Sequence, residues 1–236
     1  EPAIKSDLIG GVYTKSDFTG DIHLYTRRLS EACARRGAVF HHQSKVTHMT
    51  KSHDGVDGDW IENDTAQKSS FDSVVICAGV ASRNLAAMLG DRINIYPVKG
   101  YSITVQMPDE ESQAAAPWVS LLDDKAKIVT SRLGKDRFRI AGTAEFNGYN
   151  KDIRDDRIQP LTRWCEVHFP GIVTDHVVPW AGLRPMMPNM MPKVGPGKHE
   201  GVFYNTGHGH LGWTLSAATA ENVAESVFAS TSSNAA

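Results

Sequence analysis

The sequence predicts an α/β layer, residues 1–96 and 181–236, split around a mostly antiparallel α+β domain at 97–180. Three observations lead there. Residues 73–78, Ser-Val-Val-Ile-Cys-Ala, form a continuous apolar run closed by Gly79, the pattern of a strand buried on both faces of a parallel sheet. Beyond it the texture changes: strand-like runs recur at 100–107, 117–122, 127–132 and 137–143. In Arg137-Phe138-Arg139-Ile140-Ala141 the apolar residues alternate with period two, as in a sheet with one wet face. A strand at 201–205, a glycine-rich turn at 207–212 and a helix at 213–229 then restore the α/β texture.

The remaining elements follow in order. Over 19–37, Ile22, Tyr25, Leu29 and Cys33 fall on one helical stripe; Thr19 or Asp21 can cap its start and Gly37 stops it. Short strands are expected at 38–42, 45–50 and 58–62, the last two joined through His53-Asp54-Gly55. Helices are expected at 81–89 and 155–168, and the tail from Ser230 reads as a frayed end.

Composition excludes several classes. An apolar fraction of 41% and a charged fraction of 22% are those of an ordinary globular chain. The 25 basic and 27 acidic residues leave a net charge of −2, so no field recruits nucleic acid. Cys33, Cys77 and Cys165 are too few and too scattered for a disulfide framework and suit a reducing compartment. No apolar run approaches the roughly 18–20 residues that cross a bilayer. The chain opens Glu1-Pro2-Ala3 without a methionine, which suggests a start inside a longer reading frame.

Three segments carry candidate chemistry. Asn205-Thr206-Gly207-His208-Gly209-His210-Leu211-Gly212-Trp213-Thr214 lies between an apolar strand and a helix. Glycines there admit close backbone approach, and a helix start offers N–H donors. The spacing alone leaves a cofactor loop and a plain tight turn both open. His208 and His210, two apart with no nearby third ligand, weigh against a metal, and none is expected. In Trp180-Ala181-Gly182-Leu183-Arg184-Pro185, Arg184 stands between a glycine and a proline at a strand end. A guanidinium so held suits a carboxylate; a surface arginine in a loop is the plainer alternative. Tyr96-Pro97-Val98-Lys99-Gly100-Tyr101 lies where the two textures meet, a favoured place for pockets, with an ordinary crossover as the alternative. Hydrolase elbows, phosphate loops, H-E-x-x-H and C-x-x-C motifs are absent.

Taken in order, these segments resemble the FAD-dependent D-amino-acid oxidase superfamily and, within it, the bacterial D-amino-acid dehydrogenases of the small-subunit type. Gly10-Gly11-Val12-Tyr13 with Thr19-Gly20-Asp21, Val74 to Gly79, Tyr96 to Ser102, Gly182-Leu183-Arg184-Pro185-Met186 and Asn205 to Thr214 carry the likeness. It implies a partial Rossmann-like FAD-binding layer with an inserted substrate-binding sheet. It further implies that Val46 lies near the adenosine and that Ala78 and Gly79 lie against the flavin. Gly207, His208, Gly209, His210, Leu211, Gly212 and Trp213 would wrap the isoalloxazine edge, Thr214 would sit near the pyrimidine ring's oxygens, Gly182 would be a further cofactor-binding residue, and Arg184 would bind the substrate carboxylate. Lys99 and Tyr101 would line the pocket as further catalytic candidates. The activity implied is oxidative deamination of an amino acid, foremost a D-amino acid, to a 2-oxo acid and ammonia by hydride transfer from Cα to flavin N5. Electrons would pass to a quinone or another carrier, in the cytoplasm or at the periphery of the inner membrane.

Two departures qualify the likeness. The family's N-terminal G-x-G-x-x-G, which would hold the pyrophosphate, is absent with roughly 150–200 residues expected of such two-domain enzymes, so a separate N-terminal polypeptide is an expected partner. The Asp-Gly that often follows the Arg-Pro signature is replaced by Met187-Pro188-Asn189-Met190, leaving the turn geometry and substrate access open. A flavoenzyme acting on glycine, sarcosine, proline or hydroxyproline, and a non-catalytic fragment that binds no flavin alone, remain as alternatives. Glu145, Phe146 and Tyr149 are the expected neighbourhood for setting amine size.

Overall fold

The computed structural model describes residues 1 and 3–233. In chain order the elements begin with α1 (Ile22–Ala34), β1 (Ser44–Lys51), β2 (Val56–Glu62), β3 (Thr65–Phe71), β4 (Val74–Ile76) and α2 (Ser82–Met88). Next come β5 (Tyr96–Gln106), α3 (Glu110–Ala115), β6 (Leu122–Asp123), β7 (Ile128–Arg132), β8 (Arg137–Glu145) and α4 (Asp155–His168). The chain ends in β9 (Val177–Met186), β10 (Lys193–Pro196), β11 (Val202–Thr206) and α5 (Gly212–Ser233). Two compact units result: Glu1–Leu29 with Val98–Leu183, and Ser30–Pro97 with Arg184–Ala236. The fold is α/β with mixed, mostly antiparallel sheets.

The first unit is built on the sheet β6-β7-β8-β5-β9. Along β8 the period-two pattern holds, with Phe138 and Ile140 wholly buried and Arg137 and Arg139 partly exposed. Burying each such side chain contributes about 1.5–3 kcal/mol, and a one-residue slip would turn both outward, so register is strongly held. α4 covers this face with Ile158, Leu161, Trp164 and Cys165. Its acidic first turn, Asp155-Asp156, complements the helix dipole.

The second unit holds two small sheets. β1, β2 and β3 form an antiparallel meander. The β2–β3 turn is Asn63-Asp64, both with positive φ, as a two-residue hairpin requires. β3 was not expected from the sequence: Thr-Ala-Gln-Lys-Ser-Ser-Phe is exposed throughout and has no alternation to reveal it. In the second sheet, ordered β10-β11-β4, β4 runs parallel to β11 (Val202↔Val74, Tyr204↔Ile76). The run at 73–78 is thus a parallel strand, but only one face is sealed: Ile76 is buried while Val75 is 38% exposed. Ile76, Ile95, Val202 and Tyr204 form the core with Met49, Val56, Ala86 and Leu89, and α5 packs on β10 and β11.

Several expectations need correction. Residues 38–42 form no strand, because the chain turns there with Gln43 at φ 54. The run at 117–122 yields only the two-residue β6. α1 forms as its spacing predicts, and its cap is Asp21, whose carboxylate accepts from Leu24 N–H at 3.0 Å. Its apolar stripe is not buried, with Ile22, Tyr25 and Leu29 each nearly half exposed. α5 continues to Ser233, past the frayed end expected from Ser230, while residues 234–236 lie outside the described residues. Among the described residues no helix is long and apolar enough to cross a membrane.

Candidate functional site

In the second unit, the carboxyl ends of the two parallel strands, β4 and β11, each run into a glycine turn. Such paired strand ends are where open α/β sheets bind ligands. After β4, Ala78 leads to Gly79 at φ +55; after β11, Gly207 and Gly209 take φ +80 and +57. These left-handed positions are why glycine is required there. The two turns are stitched together by hydroxyls. Ser82 Oγ accepts from Ala78 N–H at 3.0 Å and donates to Thr206 Oγ1 at 2.8 Å; Thr206 Oγ1 donates to the Gly79 carbonyl at 3.3 Å. Both hydroxyl residues are buried. Sequence reasoning gave neither a role: Thr206 stood within the glycine segment without an assignment, and Ser82 went unnamed because an isolated serine at a helix start is ordinary capping chemistry.

The glycines differ in what faces them. A side chain at Gly79 would meet nothing within 4 Å, whereas one at Gly207 would strike Met187 Cγ at 2.7 Å and one at Gly209 would strike Met186 Sδ at 2.8 Å. Gly79 therefore presents bare backbone to open space, and the other two admit the methionines that follow Arg184. Beyond the loop, α5 begins at Gly212, its first turn closed by the bond from Leu215 N–H to the Leu211 carbonyl at 3.0 Å, so the helix's positive end stands at the loop. Leu211, Trp213, Thr214 and His210 are exposed around that start. His208 is half-buried, and its Nε2 lies 3.1 Å from Thr219 Oγ1. The Thr219 hydroxyl is given to the Leu215 carbonyl at 3.0 Å, so Nε2 is the donor to Thr219. Burial pushes the His208 pKa down, keeping the ring neutral.

Arg184 is joined to this loop through its neighbours. Gly209 N–H donates to the Pro185 carbonyl at 3.0 Å, and Met186 bridges His208. The guanidinium is partly buried, and that burial lowers its pKa from the ordinary arginine value. The following turn closes without a glycine: Met190 takes φ +61, its N–H reaches the Met187 carbonyl at 3.0 Å, and Asn189 Oδ1 accepts from Met191 N–H at 3.1 Å. Val46 is an exposed residue of β1, beside a bulge between Val46 and His48.

The other candidates belong to the first unit. Gly182 lies under the Trp180 indole, where any Cβ would fall 2.0 Å from the ring. Lys99 and Tyr101 are sealed from solvent, at 0% and 1% exposure. Lys99 Nζ lies 3.3 Å from Glu145 Oε2 and donates to Asn150 Oδ1 at 2.9 Å and the Asp152 carbonyl at 3.1 Å. Tyr101 donates to Glu145 Oε2 at 2.6 Å, and Arg154 donates to Glu145 Oε1 at 3.3 Å. Hydrogen bonding to Tyr101, then to Glu145, raises the Lys99 pKa; donation from Tyr101, then from Lys99, lowers that of Glu145. Burial, then the hydrogen bond to Glu145, raises that of Tyr101. Both charged forms are favoured.

An FAD group has a matching surface in the second unit. Gly79 offers an open cradle, the positive end of α5 lies at the loop, and Asn205 Oδ1 at the end of β11 is buried without a hydrogen-bond partner among the described residues. These features suit the polar edge of a planar ring system.

The family described as FAD dependent oxidoreductase matches residues 1–226. Over 232 residues the chain is 58% identical to D-amino acid dehydrogenase 3 of Mesorhizobium japonicum, covering 95% of this chain and 54% of that protein. It is 39% identical over 226 residues to the D-amino acid dehydrogenase of Paramagnetospirillum magneticum, covering 95% of this chain and 52% of the relative. The chain thus spans about half the length of these relatives. Among solved structures, iminodiacetate oxidase from Chelativorans sp. BNC1 superposes with a TM-score of 0.75 at 19% identity, covering 88% of this chain and 55% of that one. Glycine oxidase from Geobacillus kaustophilus gives 0.72 at 22%, covering 85% and 52%. At these identities the likeness concerns the fold.

Proposed function

Because the chain belongs to the FAD dependent oxidoreductase family, we propose that it forms part of a flavoenzyme that oxidatively deaminates amino acids, D-amino acids foremost, to 2-oxo acids and ammonia. The observation that carries this reading is the joining of Arg184's strand to the glycine loop, through Gly209 N–H and the Pro185 carbonyl, beside the stitched ends of β4 and β11. A carboxylate anchor and a cofactor loop are thereby held in one backbone frame. The close relatives named as D-amino acid dehydrogenases support the substrate class.

In this proposal Gly79, Gly207 to Gly212, Trp213, Thr214 and the start of α5 receive the flavin's polar edge, with Ala78 against its face and Val46 towards the adenosine. FAD held there would supply the two-electron acceptor for the hydride from the amino acid's Cα, with a quinone or another carrier as the onward acceptor. Arg184 grips the substrate carboxylate by paired hydrogen bonds, which fixes the orientation of Cα. The α5 N-terminus supplies positive potential where negative charge develops. Neutral His208 braces the loop through Thr219. Lys99 and Tyr101, sealed from solvent, hold Glu145 within the first unit, and Gly182 lets the Trp180 indole pack against the strand.

The test is the visible spectrum of the purified chain with and without added FAD. Flavin bands that survive desalting and bleach anaerobically with D-alanine are the expected result. A protein that takes up FAD but is bleached by no amino acid would overturn the substrate class. One that takes up none would overturn the reading that the glycine loop and the start of α5 retain the cofactor.

A further inference from the structure

The parallel ladder between β4 and β11 ends at Ile76 and Tyr204, and beyond it both chains part into turns. Two hydroxyls continue the join where the ladder stops. Ser82 and Thr206 lie in the same compact unit and are sealed from solvent, at 0% and 2% exposure. Counting hydrogens fixes the order of donors between them. Thr206 Oγ1 gives its one hydrogen to the Gly79 carbonyl, so in its contact with Ser82 it can only accept. Ser82 thus gives its own hydrogen to Thr206 and keeps a lone pair for the Ala78 N–H. The result is a one-way relay that starts at the Ala78 N–H and ends at the Gly79 carbonyl.

The relay leaves one group over. The Ala78 carbonyl accepts from Ala81 N–H at 3.1 Å, and the Gly79 carbonyl takes a second bond from Ser82 N–H. Of the main-chain polar groups of Ala78 and Gly79, the Gly79 N–H alone has no acceptor among the described residues. It belongs to a residue at φ +55 where a side chain would meet nothing within 4 Å, so this donor borders open space.

Burying two hydroxyls carries a desolvation cost that their mutual bonds offset only while the relay is whole. A turn that merely reverses the chain in water needs no such restraint on both sides of one bare N–H. A donor fixed in advance suits a ligand acceptor, because little remains to be ordered on binding. The positive end of α5 stands at the adjoining glycine loop, so the acceptor favoured there is an oxygen carrying negative charge.

We propose that Ser82 and Thr206 are positioning residues whose relay holds the Gly79 N–H as a fixed donor to an oxygen acceptor of the cofactor. This rests on the FAD reading above. Neither hydroxyl touches the cofactor; both act through the peptide groups of Ala78 and Gly79. A relay broken at either member is broken throughout, so the two residues do not contribute additively.

Peptide-resolved amide exchange on the chain reads the relay itself. Ser82→Ala and Thr206→Val should each speed exchange in residues 77–82 by about tenfold, with β2 of the same unit unchanged. The double variant should exceed either single one by less than about twofold, and Thr206→Ser, which keeps the hydroxyl, should preserve protection. Unchanged exchange, effects that multiply, or acceleration spread evenly over the unit overturns the relay. Titration with FAD, followed by the change in the flavin's visible bands, reads its purpose. Ser82→Ala and Thr206→Val should raise the Kd for FAD about tenfold, and Thr206→Ser less than about twofold. Faster exchange with an unaltered Kd overturns the role toward the cofactor. FAD uptake that shows the tenfold change without oxidation of any amino acid overturns the proposed substrate class and upholds the relay's role. If the unsubstituted chain takes up no FAD, that role and the proposed function fall together, and the exchange result still decides the relay.

Discussion

Gly209 N–H donates to the Pro185 carbonyl at 3.0 Å, so the glycine loop and the strand that ends in Arg184 share one backbone hydrogen bond. Gly209 sits at φ +57, and a Cβ there would meet Met186 Sδ at 2.8 Å. Gly209→Ala should therefore cost about 1–3 kcal/mol through backbone strain and the displaced methionine. Thermal or urea denaturation reads the cost, and wild-type stability would count against the left-handed turn.

Arg184→Ala should reduce kcat/KM for amino acids by the equivalent of about 2–4 kcal/mol, the scale for removing one partner of a desolvated charge pair. Arg184→Lys should recover only part, because an ammonium lacks the paired donors. Steady-state kinetics on the FAD-loaded protein check this, and an unchanged kcat/KM removes the carboxylate assignment.

The buried cluster fixes the direction of a pH effect. Glu145 is held below its ordinary 4.5, first by Tyr101 and then by Lys99, so its contribution is present above that value and is lost as pH falls through the lower folded value. Lys99 is raised above 10.5, so its contribution is present below that value and is lost as pH rises through the higher folded one. The first unit should be most stable between these limits, and Glu145→Gln should flatten the acid limb while lowering the plateau. Urea midpoints across pH test it; an unaltered acid limb in the variant would show that other carboxylates dominate.

Tyr204 is wholly buried, and its hydroxyl donates to Asp91 Oδ2 at 2.8 Å while the Lys198 N–H approaches the same carboxylate at 3.2 Å. Burial, then this bond, pushes the phenol up. Tyr204→Phe should cost about 1–3 kcal/mol by leaving a carboxylate lone pair unmet in the core of the second unit. A denaturation midpoint unchanged from wild type would place that lone pair in contact with water.

Burial pushes the Cys165 thiol up to about 12, whereas Cys77 lies exposed at the end of β4. A maleimide should label Cys77 in the native protein well before Cys165, which should react only on unfolding. Mass mapping of the labelled thiols gives the order, and early modification of Cys165 would show that the α4 face opens.

Local pattern carried much of the architecture into view. The alternation in Arg137 to Ala141 marked β8, and the helix expected at 155–168 is α4. The glycine loop before α5 was visible because left-handed turns and helix starts leave a compositional trace. β3 and β10 were not, since polar or glycine-and-proline-bearing strands gain their hydrogen bonds from partners that the sequence does not name. Ser82 and Thr206, 124 positions apart, become one feature only when β4 and β11 pair in parallel.

Sequence alone thus determined the elements whose energetics are local: periodic faces, caps, left-handed glycines and a constrained arginine. Tertiary structure alone decided that Arg184's strand hangs on Gly209, and that Lys99 and Tyr101 close on a glutamate some 44 positions beyond the tyrosine. A one-residue register shift in β8, where Thr143 takes φ +67, sets Glu145 opposite Lys99 and so brings that meeting about. Long-range pairing sets which isolated residues become neighbours, and no spacing rule along one strand records it.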